Sequence, residues 1–233
     1  VDARLVDHGF RVARMVSRLL ERMGTCDTAT ARDISILAMF HDIGAYKTEE
    51  INRMLEFETC NVQEHSVYGY LFIKYFTPLT RLAPAVLFHH TPWCILENLE
   101  EVSEENKTVA QLLNITDRAD VFMEKEGGSF PDFLRQLQTD GGKKYCPRIA
   151  KLLMDADFAE TMPIQEEGEE EFWERIWNYP FSREEIQKYL NMVIYTIDFR
   201  SRHTVTHTMT TTSISYELAK RMGVTGQDLS DIY

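Results

Sequence analysis

Basic residues are scarce in this sequence, in which 25 lysines and arginines stand against 37 aspartates and glutamates. The net charge of −12 excludes a sequence-independent grip on a nucleic-acid polymer, which requires clustered cations. Long apolar runs are also lacking, because none approaches the roughly 20 residues that span a bilayer. No basic segment precedes a short apolar core, as it would in a secretory signal. We therefore expect a cytoplasmic protein with no membrane segment.

Cysteine is equally sparse. The four cysteines, at positions 26, 60, 94 and 146, lie far apart and form no C-x-x-C pair. That spacing excludes both a zinc knuckle and a disulfide framework. We expect four reduced, mostly buried thiols.

Strand signals are almost absent, since alternation of apolar and polar residues never persists. Apolar residues instead recur every three or four positions, as in Val6, Phe10, Ala13, Val16 and Leu20. The same pattern indicates helices near 63–76, 80–90, 107–124, 130–138, 146–158, 169–177, 183–198 and 203–222, separated by glycine and proline. The sequence predicts an all-α fold.

Histidine and aspartate form the most informative pattern. His41-Asp42 and His89-His90 each close an apolar helical run, "ISILAMF" in one case and "LAPAVLF" in the other. Adjacent side chains at a helix end can turn toward one point. His8 and His65 lie on predicted helices beside those ends.

Asp117, in "LLNITDRAD", is a lone carboxylate on an apolar helical face, where burial without a cation is costly. Arg118 should point about 100° away on the helix, so a metal ion is the expected partner. Imidazole and carboxylate together favour divalent Mn, Fe, Co, Ni or Zn. Five histidines and two aspartates exceed the needs of one ion and suit two, with Asp42, central in the set, as the bridge.

The ordered pattern H…HD…H…HH…D resembles the HD superfamily of metal-dependent phosphohydrolases, specifically the HD-GYP subfamily. The intervals fit: 33 residues from His8 to His41, 23 from Asp42 to His65, 24 on to His89 and 27 from His90 to Asp117. "HDIG" at 41–44, "EHSVYGY" at 64–70 and "GGKKYCPRIAKLL" at 141–153 are similar to family segments. The similarity covers about residues 1–160.

The resemblance implies a helical bundle with a binuclear metal site in its core. His8, His41, Asp42 and Asp117 would hold one ion, and Asp42, His65, His89 and His90 the other. A hydroxide between the ions would attack phosphorus, with His41, Asp42 and Asp117 as the catalytic ligands. Iron or manganese is expected, and nickel, cobalt, zinc or magnesium stay open.

The departures from the family bear on substrate recognition. Arg4 occupies the place of a third-metal glutamate, so we expect two ions. Ala45 replaces a lysine after "HDIG", and Lys47 is the nearest candidate for a phosphate contact. After His90 the chain reads "TPWCILEN" with no Gly-Tyr-Pro, and "MEKEGGSF" replaces an Arg-Pro-Tyr segment. Trp93 is a candidate to stack on a base, whereas Trp173 and Trp177 are expected in the core.

A weak internal repeat bears on domain organisation. "RLVDHGFRVARMVSRLLERMG" (4–24) aligns without a gap with "HTVTHTMTTTSISYELAKRMG" (203–223), which makes His207 the counterpart of His8. His203 and His207 could alternatively bind a metal by themselves. We expect an HD domain at 1–162, an acidic helical connection at 163–199, and the truncated start of a second HD-like repeat at 200–233.

The sequence thus predicts a divalent-metal phosphohydrolase or phosphodiesterase that acts on a nucleotide, a cyclic dinucleotide or another small anionic phosphoester. The alternative is a catalytically weak or inactive HD-type module that binds a nucleotide and signals. The complete ligand set favours the enzyme, and the altered recognition loops favour the module. A homodimer is compatible with either hypothesis.

Overall fold

A computed structural model of the chain describes residues 3–45, 62–125, 127–140, 142–155, 169–178, 180–199 and 204–230. These residues form helices and connecting turns, with no strand in the ranges just given, which confirms the all-α prediction. The α-helices are α1 (Ala3–Met23), α2 (Thr28–Met39), α3 (Val62–Phe76), α4 (Ala83–Phe88), α5 (Trp93–Leu96), α6 (Glu104–Lys125), α7 (Phe130–Asp140), α8 (Pro147–Leu153), α9 (Glu169–Trp177), α10 (Arg183–Phe199), α11 (Thr204–Arg221) and α12 (Gln227–Ser230).

Local signals set several of the helix boundaries. Gly24 ends α1 with φ of 57°, a left-handed conformation that glycine adopts without a Cβ penalty. Asp27 begins α2 because its carboxylate accepts a hydrogen bond from the Thr30 amide at 2.8 Å. The single helix expected near 80–90 is instead a 3-10 turn at Thr80–Leu82 followed by the short α4, with proline in its first turn.

The chain divides into two compact units, Val1–Phe181 and Ser182–Tyr233. In the first unit α1 packs against α2 and α6, α4 packs against α3 and α6, and α7 and α8 pack against each other and α6. The side chains between these helices form the core, which includes Val12, Val16, Leu19, Leu37, Ile73, Val86, Leu112 and Leu113. Helix α9 also belongs to this unit, because Phe172 is buried and contacts the Phe10 ring edge-on.

The second unit contains α10, α11 and α12, of which α10 packs against α11 and α11 against α12. In the repeat, Ile214 and Leu218 of α11 correspond to Met15 and Leu19 of α1. Ile214 and Leu218 are 61% and 56% exposed, whereas Met15 and Leu19 are buried. The division at 162 and 199 and the repeat itself stay predictions.

Two expectations about side-chain burial were wrong. Cys94 is exposed and Cys26 and Cys146 are half-buried, so the described thiols are free but not mostly buried, and Cys60 lies outside the described residues. Trp177 is 61% exposed rather than in the core, because the buried face of α9 is taken by Phe172 and Ile176. Within the described ranges, no helix is long and apolar enough to cross a membrane.

Candidate metal centre

The seven candidate ligands come from five places in the chain that lie far apart in sequence. His8 is on α1, His65 on α3 and Asp117 on α6, while two pairs follow the last residues of α2 and α4. The structure brings the seven side chains together in two overlapping groups, whose ligand atoms lie within 4.8 Å of one another: His8, His41, Asp42 and Asp117 in the first, and Asp42, His65, His89 and His90 in the second. We refer to them as the first group and the second group.

Three glycines allow the helices that carry these ligands to approach closely. A Cβ atom on Gly9, next to His8, would collide with the backbone carbonyl of Met39 at the end of α2. A Cβ on Gly44 would collide with the His65 carbonyl and reach the Gly69 amide at 2.5 Å. The glycines of "HDIG" and "HSVYG" therefore pack against each other, and this contact places His65 beside the His41-Asp42 pair.

Asp42 lies between the two groups and presents a different oxygen to each. Its Oδ2 is 3.6 Å from His8 Nε2 and 3.3 Å from His41 Nε2. Its Oδ1 is 3.6 Å from His65 Nε2 and 3.5 Å from His89 Nε2. These separations exceed a normal N–H···O hydrogen bond, so the imidazoles surround the carboxylate without bonding to it.

The centre leaves buried polar atoms without hydrogen-bond partners. In the described part of the chain, His41 Nε2, His89 Nε2 and Asp42 Oδ1 belong to this class. Each such atom costs about 1–3 kcal/mol of desolvation. His65 Nε2 and His90 Nε2 also face each other at 3.0 Å. Divalent ions between these nitrogen and oxygen atoms would satisfy all of them, so the residues present fit a metal centre.

The structure orients two of the histidines through the backbone. His41 Nδ1 donates to the Ala38 carbonyl at 2.8 Å, and His89 Nδ1 donates to the Val86 carbonyl at 2.5 Å. Both carbonyls lie in the last turn of a helix, where no intrahelical amide is available to bond them. The hydrogen bond at Nδ1 leaves the Nε2 lone pair of each ring directed at Asp42.

Burial keeps most of the imidazoles neutral. It lowers the pKa of His65 to about 4, although the Asp42 carboxylate acts in the opposite direction. It also lowers the pKa of His41 and holds that of His90 well below its usual range. A neutral imidazole is the form that binds a metal ion, so these rings are ready to bind near pH 7.

The carboxylates stay ionised despite burial. Burial alone would raise the pKa of Asp42, but His41, His8 and His89 hold it well below its usual range. Burial likewise opposes ionisation of Asp117, whose pKa is lowered chiefly by His8 and by the Arg118 guanidinium. Both aspartates can therefore contribute a negative charge to bound cations.

Sequence reasoning missed three side chains at the centre. Asp120, one turn beyond Asp117, accepts a hydrogen bond from His8 Nδ1, and Arg11 contacts the same carboxylate. Arg118 was expected to point away from Asp117, but its Nε is 3.7 Å from Asp117 Oδ2. Its long side chain folds back across the helix surface, which an estimate from helical angle alone does not include. The D-x-x-D spacing of Asp117 and Asp120 was the available signal.

The candidate substrate contacts are only partly described. Lys47 and the side chains of Arg4, His203 and His207 lie outside the described residues, whereas Ala45 is buried beside the centre. Trp93 is half-buried at the start of α5, three residues after His90, and its backbone amide donates to the Lys144 carbonyl at 2.9 Å. The Gln111 side chain of α6 donates to the Thr91 carbonyl at 3.1 Å, and this bond ties the segment after His90 to α6.

Comparison with known proteins identifies relatives over nearly the whole chain. This chain is 26% identical over 240 residues to the 3′3′-cGAMP-specific phosphodiesterase 1 of Vibrio cholerae serotype O1. The alignment covers 94% of this chain and 54% of that protein. The chain therefore spans about half the length of this curated relative.

The crystal structure of a cyclic GMP-AMP-specific phosphodiesterase from V. cholerae shares the fold, with a TM-score of 0.57 and 12% identity over 95% of this chain and 62% of that one. Residues 5–121, which include all seven candidate ligands, match the model of the HD domain family. This chain belongs to the HD domain family, as its ordered histidines and aspartates predict.

Proposed function

We propose that this chain is a metal-dependent phosphodiesterase whose centre holds two divalent ions and whose substrate is a cyclic dinucleotide. The observation that carries the proposal is the position of Asp42, which turns one carboxylate oxygen to each group of imidazoles. A single ion would need only one of the two groups. The curated relative from V. cholerae, a 3′3′-cGAMP-specific phosphodiesterase, supports this substrate class.

The ligands divide as the resemblance implies. The first group would hold one ion, the second group would hold the other, and Asp42 would contact both. When bound, two such ions would activate a water molecule for attack on phosphorus and neutralise charge on the phosphoryl oxygens. Buried nitrogen and oxygen atoms that hold their positions before the ions bind avoid the cost of rearrangement.

Other residues of the chain have roles that do not depend on ligation. Arg118 lies at the outer side of the centre, with its Nη2 3.4 Å from His90 Nδ1 and its Nε 3.7 Å from Asp117 Oδ2. Its side chain is 26% exposed, whereas that of Asp117 is 7% exposed. A guanidinium in this place can contact a phosphate group from the solvent side. Trp93 offers an aromatic surface for a base, and Lys47 is the second candidate phosphate contact.

The hydrolysis test uses the full chain loaded with Mn²⁺ or Fe²⁺, together with 3′,3′-cGAMP, cyclic di-GMP and a chromogenic phosphodiester. We expect turnover of at least one cyclic dinucleotide and its decrease by at least about 100-fold in Asp42→Ala, because that change removes a ligand from both groups. Asp132→Asn is the matched control, since this exposed carboxylate pairs with Arg135 on α7 and should leave the rate unchanged.

The alternative is an HD-type module that binds a nucleotide and signals without turnover. The loop "TPWCILEN", which follows His90 in place of a Gly-Tyr-Pro segment, favours it. Tight binding of a cyclic dinucleotide by the metal-loaded chain, with no product after prolonged incubation, would support the module and contradict the enzyme. Equal turnover by the native chain and Asp42→Ala would remove this centre from the mechanism.

A further inference from the structure

Asp120 and Arg11 form a closed arrangement with His8 beside the first group. Asp120 is 2% exposed, and its Oδ2 accepts a hydrogen bond from His8 Nδ1 at 2.7 Å. Arg11 donates from Nε to Oδ1 at 2.6 Å and from Nη2 to Oδ2 at 2.9 Å. His8 and Arg11 lie three residues apart on α1 and Asp120 lies on α6, so one carboxylate joins the two helices next to the candidate centre.

The position of His8 explains why it needs a side chain as its hydrogen-bond acceptor. His41 and His89 follow the ends of helices and donate to last-turn carbonyls of their own segments. His8 lies within α1, where the nearby carbonyls accept helical amides. An acceptor for its Nδ1 must therefore come from another helix, and α6 supplies Asp120.

The bidentate contact with Arg11 gives Asp120 a fixed orientation. A guanidinium fork that bonds both oxygens of a carboxylate leaves it little freedom to rotate. The Arg11 side chain is 36% exposed, and its Nη2 is 4.0 Å from Glu124 Oε2. The charge of the buried Asp120 is compensated by Arg11, so Asp120 is available as an acceptor for His8 rather than as a further metal ligand.

We propose that Asp120, held by Arg11, is a positioning residue that fixes the tautomer and ring orientation of His8 and thereby sets the affinity of the first group for its ion. A carboxylate on Nδ1 directs the Nε2 lone pair toward the centre, where Nε2 lies 3.3 Å from Asp117 Oδ1, and strengthens the imidazole as a ligand. The second group has no contact with Asp120 in the described part of the chain. This inference rests on the metal centre of the proposed function.

The expected result is selective. Asp120→Ala should lower the affinity of the chain for one of the two ions by about 10–100-fold, the usual cost of removing the partner of a histidine ligand. The affinity for the other ion should stay within about twofold of the native value. Asp120→Asn should have a smaller effect, because its carbonyl still accepts from His8 while the charge and one contact to Arg11 are lost. Arg11→Gln should act in the same direction with Asp120 still in place. Asp33→Asn is the matched control, because Asp33 pairs with Arg32 and Arg81 and is not among the candidate ligands.

The experiment titrates the metal-free full chain with Mn²⁺ and counts bound ions by electron paramagnetic resonance and elemental analysis. Thermal unfolding of each metal-free variant reports whether the fold is retained, and Asp120→Asn and Arg11→Gln keep the test decisive if Asp120→Ala does not fold. A lower affinity for one of the two ions in these variants, with native affinity for both ions in Asp33→Asn, supports the proposal. Native affinity for both ions in every variant overturns the proposal, and so does an equal loss of affinity for both ions. Either result leaves the proposed function standing. A native chain that binds no metal overturns both.

Discussion

The carboxylate of Asp42 is buried among the imidazoles of His8, His41, His65 and His89. Burial of this charge is costly, and it is offset by His41, His8 and His89, which hold the pKa of Asp42 well below its usual range. Among the described residues, three atoms at the centre (His41 Nε2, Asp42 Oδ1 and His89 Nε2) still lack hydrogen-bond partners. At the scale of single residues, the chain therefore retains an arrangement that is unfavourable by itself and becomes favourable when divalent cations are bound.

Arg118 gives a prediction at the same scale. Arg118→Gln should raise KM for a cyclic dinucleotide by about 10-fold or more, since a charge-assisted hydrogen bond to a phosphate contributes about 1.5–3 kcal/mol. Arg118→Lys should recover part of this loss because it keeps the charge without the planar fork. Steady-state kinetics with elemental analysis would test this, and the count of bound ions should not change. Loss of an ion with KM unaltered would show that Arg118 supports Asp117 instead of the substrate.

At the scale of helices, the centre is built where helix ends meet helix sides. The turns after α2 and α4 supply two adjacent ligands each, whereas α1, α3 and α6 supply one apiece from their lateral faces. Adjacent side chains that follow a helix end can turn toward one point, and the last-turn carbonyls orient the His41 and His89 rings. The glycine contacts then determine how closely these ends and sides approach.

Gly44→Ala should therefore disturb the centre as well as the fold. Its Cβ would meet the backbone of α3, which cannot move aside as a flexible side chain can, so we expect a loss of about 1–3 kcal/mol or more in unfolding free energy and weakened metal binding. Gly24→Ala is the matched control, because its Cβ would meet nothing within 4 Å and only the positive φ is unfavourable, by about 1–2 kcal/mol. Chemical denaturation and metal titration would measure both quantities.

The contrast between these variants decides the interpretation. Gly24→Ala should lose stability and keep native metal affinity, whereas Gly44→Ala should lose both. Native metal affinity in Gly44→Ala would mean that the contact between Gly44 and Gly69 is not needed to place His65 beside Asp42.

The sequence was sufficient to predict most of the helices and the candidate ligands, but not the break in the 80–90 segment, the end of α8 at Leu153 or how the ligands are supported. Helical periodicity is local, so α9 was predicted at its observed bounds, and the ordered pairs His41-Asp42 and His89-His90 identified the ends that converge. The bond between Asp120 and His8 joins residues 112 apart in sequence, and the D-x-x-D spacing places Asp120 near Asp117 without identifying His8 as its partner. The reach of Arg118 depends on its side-chain torsions, and the exposure of Trp177 depends on which face of α9 packs.

At the scale of the whole molecule, an acidic chain would have to attract the acidic substrate that we propose. The net charge of −12 repels a cyclic dinucleotide at long range. Among the candidate ligands, Asp42 and Asp117 contribute the negative charge, and the neighbouring Asp120 is paired with Arg11. Two divalent ions would outweigh these carboxylates and make the centre locally cationic. Bound metal ions would therefore favour the approach of a phosphate group to the centre.

The number of metal ions bound per chain distinguishes a binuclear centre from a mononuclear one. Elemental analysis of the purified native chain, of Asp117→Ala and of Asp42→Ala, after reconstitution with Mn²⁺ and dialysis, would provide it. We predict two ions in the native chain, one in Asp117→Ala, which loses a ligand of the first group alone, and none retained in Asp42→Ala, which loses a ligand of both groups. A native chain that holds no metal after reconstitution, or an Asp42→Ala variant that still holds two ions, would contradict the account.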